Sequence, residues 1–242
     1  MRRYGDIKYW EEHYKNVEED TFDWLEEYPS LKETISSLKI SKESGKILNV
    51  GCGNSELSEN MYDDGYHNIY NIDISNTVIN IMNERSKNRP GMIYEVMDVC
   101  NIKYENNLFD LVIDKSTMDA LLCGDDYCIT ISKMLKEIQR VLKVGGYYMI
   151  ISYEEPDFRI MHLKRKFLKF NVKIIKIEQN TVGGTLYDNY HYIYLCKKLE
   201  GADEVSEKFF DETIKELIEK EELEEEDDRQ EEKEYKENKN QK

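Results

Sequence analysis

The chain of 242 residues lacks features that mark several classes of protein. It has no run of about 18 apolar residues, so no membrane-spanning helix and no membrane partner are expected. Only 34 Lys and Arg face 50 Asp and Glu, and this shortage of basic charge argues against a nucleic-acid partner, whose phosphates need clustered Lys and Arg. The opening residues lack the roughly 7–15-residue apolar stretch of a signal peptide, so the expected location is cytoplasmic.

Candidate metal ligands are scattered. The five cysteines include no Cys-x-x-Cys pair and are expected to be reduced thiols (Cys52, Cys100, Cys123, Cys128 and Cys196). The four histidines show no ligand spacing and receive no predicted role (His13, His67, His162 and His191). His162 and the basic residues 164–166 are predicted to form a solvated helix face. No metal site is expected.

Apolar stretches alternate with helical patterns between residues 47 and 198. Seven stretches are predicted as strands, at residues 47–50, 69–72, 92–96, 108–113, 147–153, 172–177 and 190–195. The apolar spacing from Tyr127 to Leu142 predicts a helix that stops at Gly145-Gly146. Only 12 residues, with Gly183-Gly184 among them, separate the last two strands, so a hairpin is expected there. The pattern predicts an α/β, Rossmann-like doubly wound, mostly parallel seven-stranded sheet with an antiparallel edge strand.

Polar residues follow the predicted strands, where a doubly wound sheet binds its ligand. They are Gly51-Cys52-Gly53, Asp73, Asp98 and Asp114-Lys115. Asp73 follows Gly53 by 20 residues, the spacing at which an acid accepts hydrogen bonds from ribose hydroxyls. The third glycine of a pyrophosphate-binding turn is replaced by Glu56, whose charge would repel a pyrophosphate, so NAD and FAD are disfavoured. S-adenosylmethionine is a nucleoside without phosphates that carries a sulfonium and an ammonium group, and it fits better.

The motifs resemble those of the class I S-adenosylmethionine-dependent methyltransferases. The resemblance lies in Ile47 to Ser55, Asp73-Ile74-Ser75, Asp98-Val99, Asp114 to Ala120 and Leu142 to Gly146. With the aromatic opening Tyr9 to Tyr14 and Phe22-Asp23-Trp24, the chain more narrowly resembles the eukaryotic methyltransferase-like proteins that include lysine methyltransferases of elongation factor 1-alpha. The resemblance covers about residues 4–198.

The resemblance implies a cofactor role for ten residues. Trp10, Tyr14 and Trp24 would close over the cofactor, Gly51 and Gly53 would approach its methionine part, Asp73 would bind the ribose, Ile74 would pack on the adenine, Asp98 and Val99 would contact the adenine amino edge, and Lys115 would lie at the rim. From pattern alone, the helical spacing of Ile7, Trp10, Tyr14 and Val17 favours a packing stripe, and both roles can coexist. Two positions depart from the family pattern, because Ser116 replaces the usual glycine and Val144 replaces a proline found in many members.

The predicted organisation has four parts. Residues 1–30 form an aromatic N-terminal lid segment, residues 31–200 the class I methyltransferase domain, residues 201–223 an amphipathic helix, and residues 224–242 an acidic disordered tail. Residues 201–242 hold 18 Asp and Glu against eight Lys and Arg, a net charge of -10 out of -16, so most of the net negative charge belongs to the helix and tail.

The expected function is methylation of a lysine in a basic protein substrate such as elongation factor 1-alpha, with S-adenosyl-L-methionine as cofactor and S-adenosyl-L-homocysteine as product. A small-molecule methyltransferase and a non-catalytic cofactor-binding protein stay open as alternatives. A nucleic-acid methyltransferase is disfavoured, because Asp114-Lys115-Ser116-Thr117 stands where many such enzymes carry an Asn-Pro-Pro-Tyr-like tetrapeptide. Asp114 and Asp119 are the carboxylates nearest the expected acceptor entrance, and either could orient the amine or take its proton. The oligomeric state is not predicted.

Overall fold

The computed structural model describes residues 4–16, 21–178 and 190–240, without the side chains of residue 221 and of residues 224–240. Its helices are α1 Ile7–Asn16, α2 Tyr28–Ser37, α3 Leu57–Asp63, α4 Asn76–Arg85, α5 Thr117–Leu121, α6 Tyr127–Val141, α7 Pro156–Leu163 and α8 Ala202–Asn240. Its strands are β1 Ile47–Val50, β2 Ile69–Asp73, β3 Met92–Val96, β4 Phe109–Lys115, β5 Leu142–Ser152, β6 Phe170–Glu178 and β7 Tyr190–Lys198.

The seven strands form one sheet in the order β3-β2-β1-β4-β5-β7-β6. Strands β1 to β5 pair in parallel, whereas β7 is antiparallel to both β5 and β6. The predicted fold class is confirmed, with the refinement that the antiparallel strand is β7, second from the edge. The predicted hairpin turn with Gly183-Gly184 lies outside the described residues.

Apolar side chains cover both faces of the sheet. One face packs against α1 to α4 through residues such as Ile47, Leu111 and Met149. Their sequence neighbours Leu48, Val112 and Tyr148 point to the other face, which packs against α5 to α8. Because parallel strands have the same direction, this core brings the carboxyl ends of β1 to β5 to one edge, and the polar residues that follow the strands meet there.

Helix α6 ends four residues earlier than the glycine pair predicted. Leu142 already has an extended backbone (φ -71°, ψ 138°) and pairs with Phe109 on β4. Gly145 has a left-handed backbone (φ 83°) inside β5, and the β4–β5 register shifts between Phe109 and Leu111. Pairing with β4 therefore determines where α6 ends, and the left-handed backbone of Gly145 belongs to an irregularity within β5.

The basic segment at the end of α7 is only in part the solvated face that was predicted. His162 is 4% exposed, and burial lowers its pKa to about 4. Arg165 donates Nη1 to the Cys128 carbonyl oxygen (2.6 Å) and places Nη2 at 3.0 Å from His162 Nδ1. Lys164 and Lys166 are exposed, and Lys166 pairs with Glu216 of α8 at 2.6 Å.

The C-terminal region is one continuous helix, α8, which passes the predicted boundary at residue 223 without a break. The backbone of residues 224–240 is thus helical where a disordered tail was predicted. Glu and Lys, which dominate this stretch, have high helix propensities, so absence of apolar residues does not by itself end a helix. No helix in the described part of the chain is both long and apolar enough to cross a membrane.

Candidate functional site

A cavity of about 760 Å³ lies at the carboxyl edge of the sheet, under the N-terminal segment. Its size falls within the range of roughly 300–1,000 Å³ typical of small-molecule sites. All ten residues predicted to hold the cofactor line it: Trp10, Tyr14, Trp24, Gly51, Gly53, Asp73, Ile74, Asp98, Val99 and Lys115. The structure brings them together around one space, and their individual roles stay predictions.

The turn after β1 brings the backbone close to its neighbours. Gly51 and Gly53 have left-handed backbones, with φ values of 57° and 51°. A Cβ atom on Gly51 would collide with the Thr117 side chain, and one on Gly53 would stand 2.6 Å from the Tyr14 hydroxyl oxygen. Arg85 fixes the next residues from outside by donating to the carbonyl oxygens of Asn54 and Ser55, each at 3.1 Å. Both glycines are therefore required by conformation and by space.

Asp73, the last residue of β2, holds this turn. Its Oδ2 accepts from the Gly53 backbone N–H at 3.0 Å and its Oδ1 from the Ser75 N–H at 2.9 Å. The carboxyl group is 7% exposed, and burial raises its pKa, while the backbone hydrogen bonds act in the opposite direction. A carboxylate oxygen has two lone pairs, so Asp73 can hold the turn and still accept from ribose hydroxyls.

The residues predicted to meet the adenine lie at the ends of β2 and β3. Val99 is 8% exposed, Ile74 is half-buried, and both line the cavity. Asp98 is exposed, and its Oδ1 accepts from the Cys100 backbone N–H at 2.8 Å. This end of the cavity combines apolar walls with a carboxylate at the rim, which suits a base that carries an exocyclic amino group.

Aromatic rings of the N-terminal segment form the roof. Trp10 lies against Tyr14 and Trp24, with ring centroids 6.0 and 6.5 Å apart, and its indole N–H donates to the Tyr4 carbonyl oxygen at 2.6 Å. Tyr14 is 6% exposed, while Trp10 and Trp24 are only half-buried. The described residues of the predicted packing stripe, Ile7, Trp10 and Tyr14, thus also line the cavity, whereas Val17 lies outside the described residues. Ring faces at this position can attract a cationic ligand.

Two acids of the N-terminal segment fasten it to the domain. Glu11 accepts from the hydroxyl groups of Ser75 (2.7 Å) and Thr77 (2.6 Å), and these hydrogen bonds lower its pKa to about 2. Asp23 accepts from Lys115 Nζ at 2.7 Å and from the Glu56 backbone N–H at 3.2 Å. The Lys115 ammonium group, which was predicted to lie at the cofactor rim, therefore helps to fix the N-terminal segment over the cavity.

The two acids predicted near the acceptor entrance differ. Asp119 lines the cavity and Asp114 does not. Asp114 is fully buried, and its Oδ1 accepts from the backbone N–H groups of Thr117 (2.8 Å) and Met118 (3.2 Å) while its Oδ2 accepts from the Tyr148 hydroxyl (2.6 Å). Burial raises its pKa from 3.8 to about 6. Asp114 therefore anchors the start of α5.

The raised pKa of Asp114 predicts a pH-dependent stability. Because the folded-state pKa lies above the unfolded-state value, the native protein binds this proton more tightly, and the stabilisation is lost as pH rises from about 4 through 6. The full loss is about 3 kcal/mol. Asp114→Asn keeps an oxygen for the two N–H groups and offers an amide donor to Tyr148, so it should flatten this decline.

Urea unfolding of wild type and Asp114→Asn between pH 4.5 and pH 7.5 measures the effect. Asp110→Asn serves as the matched control, because Asp110 lies on the same strand but is half-buried and pairs with Lys143 at 2.8 Å. Profiles that run parallel for wild type and Asp114→Asn would contradict the assignment.

Asp119 belongs to a buried ion pair beside the cavity. Its Oδ1 accepts from Arg159 Nη2 and, at 2.6 Å, from the Ser152 hydroxyl. Asp119 is 5% exposed and Arg159 1% exposed, and burial raises the pKa of Asp119 against the opposing effect of Arg159. Nearby, Ser116 keeps a left-handed backbone (φ 68°) although it is not glycine, and its buried hydroxyl has no hydrogen-bond partner in the part of the chain that the structure describes.

Four residues around the cavity were missed by the sequence analysis: Glu11, Asp23, Glu26 and His191. Asp23 lies inside the aromatic motif Phe22-Asp23-Trp24, where its position between two aromatic residues was the available signal. Glu26 and His191 are 165 positions apart in sequence yet pair at 2.7 Å across the cavity wall, and no local pattern announces such a pair.

The donor set fits S-adenosylmethionine. The glycine turn leaves backbone close to the cavity, Asp73 offers carboxylate oxygens for a ribose, Ile74 and Val99 offer an apolar wall for a base, and aromatic rings cover the middle. No group of three or more His, Cys, Asp and Glu side chains suited to a metal ion occurs among the described residues. All five cysteines are free.

Comparison with known proteins finds a matching family model and several similar proteins. Residues 48–150 match a family model described as a methyltransferase domain. A Danio rerio protein named eEF1A lysine and N-terminal methyltransferase is 39% identical over 202 residues, which are 82% of this chain but 29% of that protein. EEF1A lysine methyltransferase 4 of Mus musculus is 29% identical over 169 residues, 66% of each chain. This chain thus spans less than a third of the length of the Danio rerio relative.

A solved structure shares the fold. A SAM-dependent methyltransferase from Methanosarcina mazei superposes with a TM-score of 0.54 at 17% identity, covering 72% of this chain and 99% of that one. The sequence match and the shared fold agree, and the chain belongs to the class I S-adenosylmethionine-dependent methyltransferases, which use S-adenosylmethionine as cofactor and release S-adenosylhomocysteine.

Proposed function

We propose that this protein methylates the ε-amino group of a lysine in a basic protein substrate, with elongation factor 1-alpha as the first candidate, and that it acts in the cytoplasm. The observation that carries the proposal is the 39% identity, over 82% of this chain, to a protein named for lysine methylation of that factor. The net charge of -16 supports a basic partner, because complementary charge favours encounter.

The division of the cavity supports an amine acceptor. Asp73, Ile74 and Val99 lie at the carboxyl ends of β2 and β3 and would take the nucleoside. Asp119 lies in α5 after β4, Tyr153 directly follows β5, and His191 lies at the start of β7. In the sheet order, β1 lies between the two groups. Anionic and aromatic groups at the second end suit an alkylammonium or amine.

Methyl transfer from S-adenosylmethionine to an amine defines what the residues around the cavity must do. Bound S-adenosylmethionine supplies a methyl group on a sulfonium that is already activated. The chain's own contribution is to align the acceptor nitrogen, exclude water and admit the neutral amine. A lysine with its reference pKa near 10.4 needs about 4.6 kcal/mol to lose its proton at pH 7, and a desolvated, aromatic-walled site reduces this cost.

Methyl-labelled S-adenosylmethionine incubated with the purified protein and purified elongation factor 1-alpha tests the proposal. We expect label on one or a few lysines, located by mass spectrometry of peptides, and no label without the enzyme. A cytosolic lysate, intact or freed of small molecules, serves as the parallel substrate. Label confined to small metabolites favours the small-molecule alternative. Cofactor binding in calorimetry without transfer to any fraction favours a non-catalytic binding protein.

A further inference from the structure

His191 lies at the acceptor end of the cavity. It is the second residue of β7, whose antiparallel pairing sets Tyr192 opposite Ser152, the last residue of β5. This pairing brings the start of β7 to the edge where the parallel strands end. His191 lines the cavity and keeps 17% of its side chain exposed, whereas His13, His67 and His162 do not line it. A chain with four histidines thus presents one of them to the site.

Glu26 holds the ring of His191 from the N-terminal segment. Its Oε1 lies 2.7 Å from His191 Nδ1, and its Oε2 accepts from the Ser30 hydroxyl at 2.5 Å. Glu26 is 6% exposed, so this carboxylate is fixed by burial as well as by hydrogen bonds. A carboxylate at Nδ1 favours the tautomer that carries its proton there and leaves the lone pair on Nε2. Among the described residues, the structure gives the His191 side chain no second hydrogen bond.

Three other titratable side chains facing this end of the cavity, Lys115, Asp119 and Cys123, are already engaged. Cys123 Sγ donates to the Asp119 carbonyl oxygen at 3.4 Å. Lys115 donates to Asp23, and Asp119 accepts from Arg159 and Ser152. Burial raises the pKa of the neighbouring Tyr153 phenol, which disfavours its charged form. The Lys176 ammonium lies over the Tyr190 ring, 3.3 Å from the ring centroid. His191 Nε2 is therefore the group best placed to take up a proton.

We propose that His191, oriented by Glu26, accepts the proton that the substrate ammonium loses before it receives the methyl group. The inference rests on the proposed function and names the base for it. An N–H bond of the ammonium breaks, its electron pair stays on nitrogen, and the proton moves to Nε2, giving an imidazolium opposite the Glu26 carboxylate. The nitrogen pair forms the new N–C bond while the S–C pair leaves with sulfur, and the imidazolium later returns its proton to water.

His191→Asn separates the base from the contact that holds it. The asparagine amide can donate to Glu26 in place of Nδ1–H, but it has no group that can take up a proton. With elongation factor 1-alpha as substrate, kcat at pH 7 should fall at least about 100-fold, the usual range for loss of a general base. Because the neutral fraction of lysine rises tenfold per pH unit below about 10, the deficit should shrink as pH approaches 9.5. S-adenosylhomocysteine affinity should stay within about twofold of wild type.

Two further variants complete the test. His67→Asn, distant from the cavity, should leave kcat and its pH profile unchanged. In ¹⁵N spectra, wild type should show His191 protonated at Nδ1 only, whereas Glu26→Gln should show a mixture of tautomers. If wild type methylates elongation factor 1-alpha and His191→Asn is equally active at every pH, the base assignment is overturned and the proposed function stands. Wild type without any transfer to elongation factor 1-alpha would overturn both.

Discussion

Arg159→Met is expected to lower the free energy of unfolding by about 3–5 kcal/mol, because it leaves the Asp119 carboxylate buried without its counter-charge. Asp119 and Arg159 are 5% and 1% exposed, so little solvent is available to replace the lost partner. The double variant Asp119→Leu/Arg159→Met removes both charges and should regain most of the stability, as buried ion pairs replaced by apolar residues often do. Urea unfolding monitored by circular dichroism measures all three proteins.

Lys143→Met is the matched control for this pair. Lys143 and Asp110 form an ion pair at 2.8 Å, but their side chains are 42% and 27% exposed, so its loss should cost less than about 1 kcal/mol. If Arg159→Met costs no more than Lys143→Met, the Asp119–Arg159 pair is not a buried charge pair in solution. Arg159→Lys, which keeps the charge but not the planar group, should lie between the two.

Asp73→Ala is expected to weaken S-adenosylhomocysteine binding at least about 100-fold. The variant removes the predicted ribose acceptor and leaves the Gly53 and Ser75 N–H groups without their carboxylate partner. A hydrogen bond to a charged group contributes about 1.5–3 kcal/mol, so the loss of two such hydrogen bonds from the ribose hydroxyls suffices to weaken binding about 100-fold. Isothermal titration calorimetry measures the affinity, and Asp110→Ala, at the opposite end of the parallel strands, is the control that should bind as wild type does.

A modified ligand separates the ribose contact from the structural role of Asp73. Wild type should bind 2′,3′-dideoxy S-adenosylhomocysteine at least about tenfold more weakly than the parent compound, because two donors to the carboxylate are missing. Asp73→Ala should hardly distinguish the two ligands. Equal discrimination by both proteins would show that another group holds the ribose, even if the variant binds weakly.

The sequence predicted the parts of this protein that depend on local order along the chain. The seven strands and the glycine turn after β1 follow from short-range patterns, because a buried strand needs consecutive apolar residues and a tight turn needs glycine. The direction of parallel strands then places Asp73, Asp98 and Lys115 at one edge without further information. Local patterns were less successful at element ends: α6 yields to β4 pairing at Leu142, and α8 continues because Glu and Lys favour a helix.

By itself, the sequence determined the sheet, since buried strands follow from periodicity, and the strand-end residues of the cavity, which are Gly51, Gly53, Asp73, Asp98 and Lys115. The resemblance to the methyltransferase family added Trp10, Tyr14, Trp24, Ile74 and Val99. Only the tertiary structure decided how those residues are paired. Lys115 reaches Asp23, Arg159 reaches Asp119 and His191 reaches Glu26 across 92, 40 and 165 positions. Such pairs form because burial makes an isolated charge or polar group costly, and the partner that meets this need is set by how the elements pack.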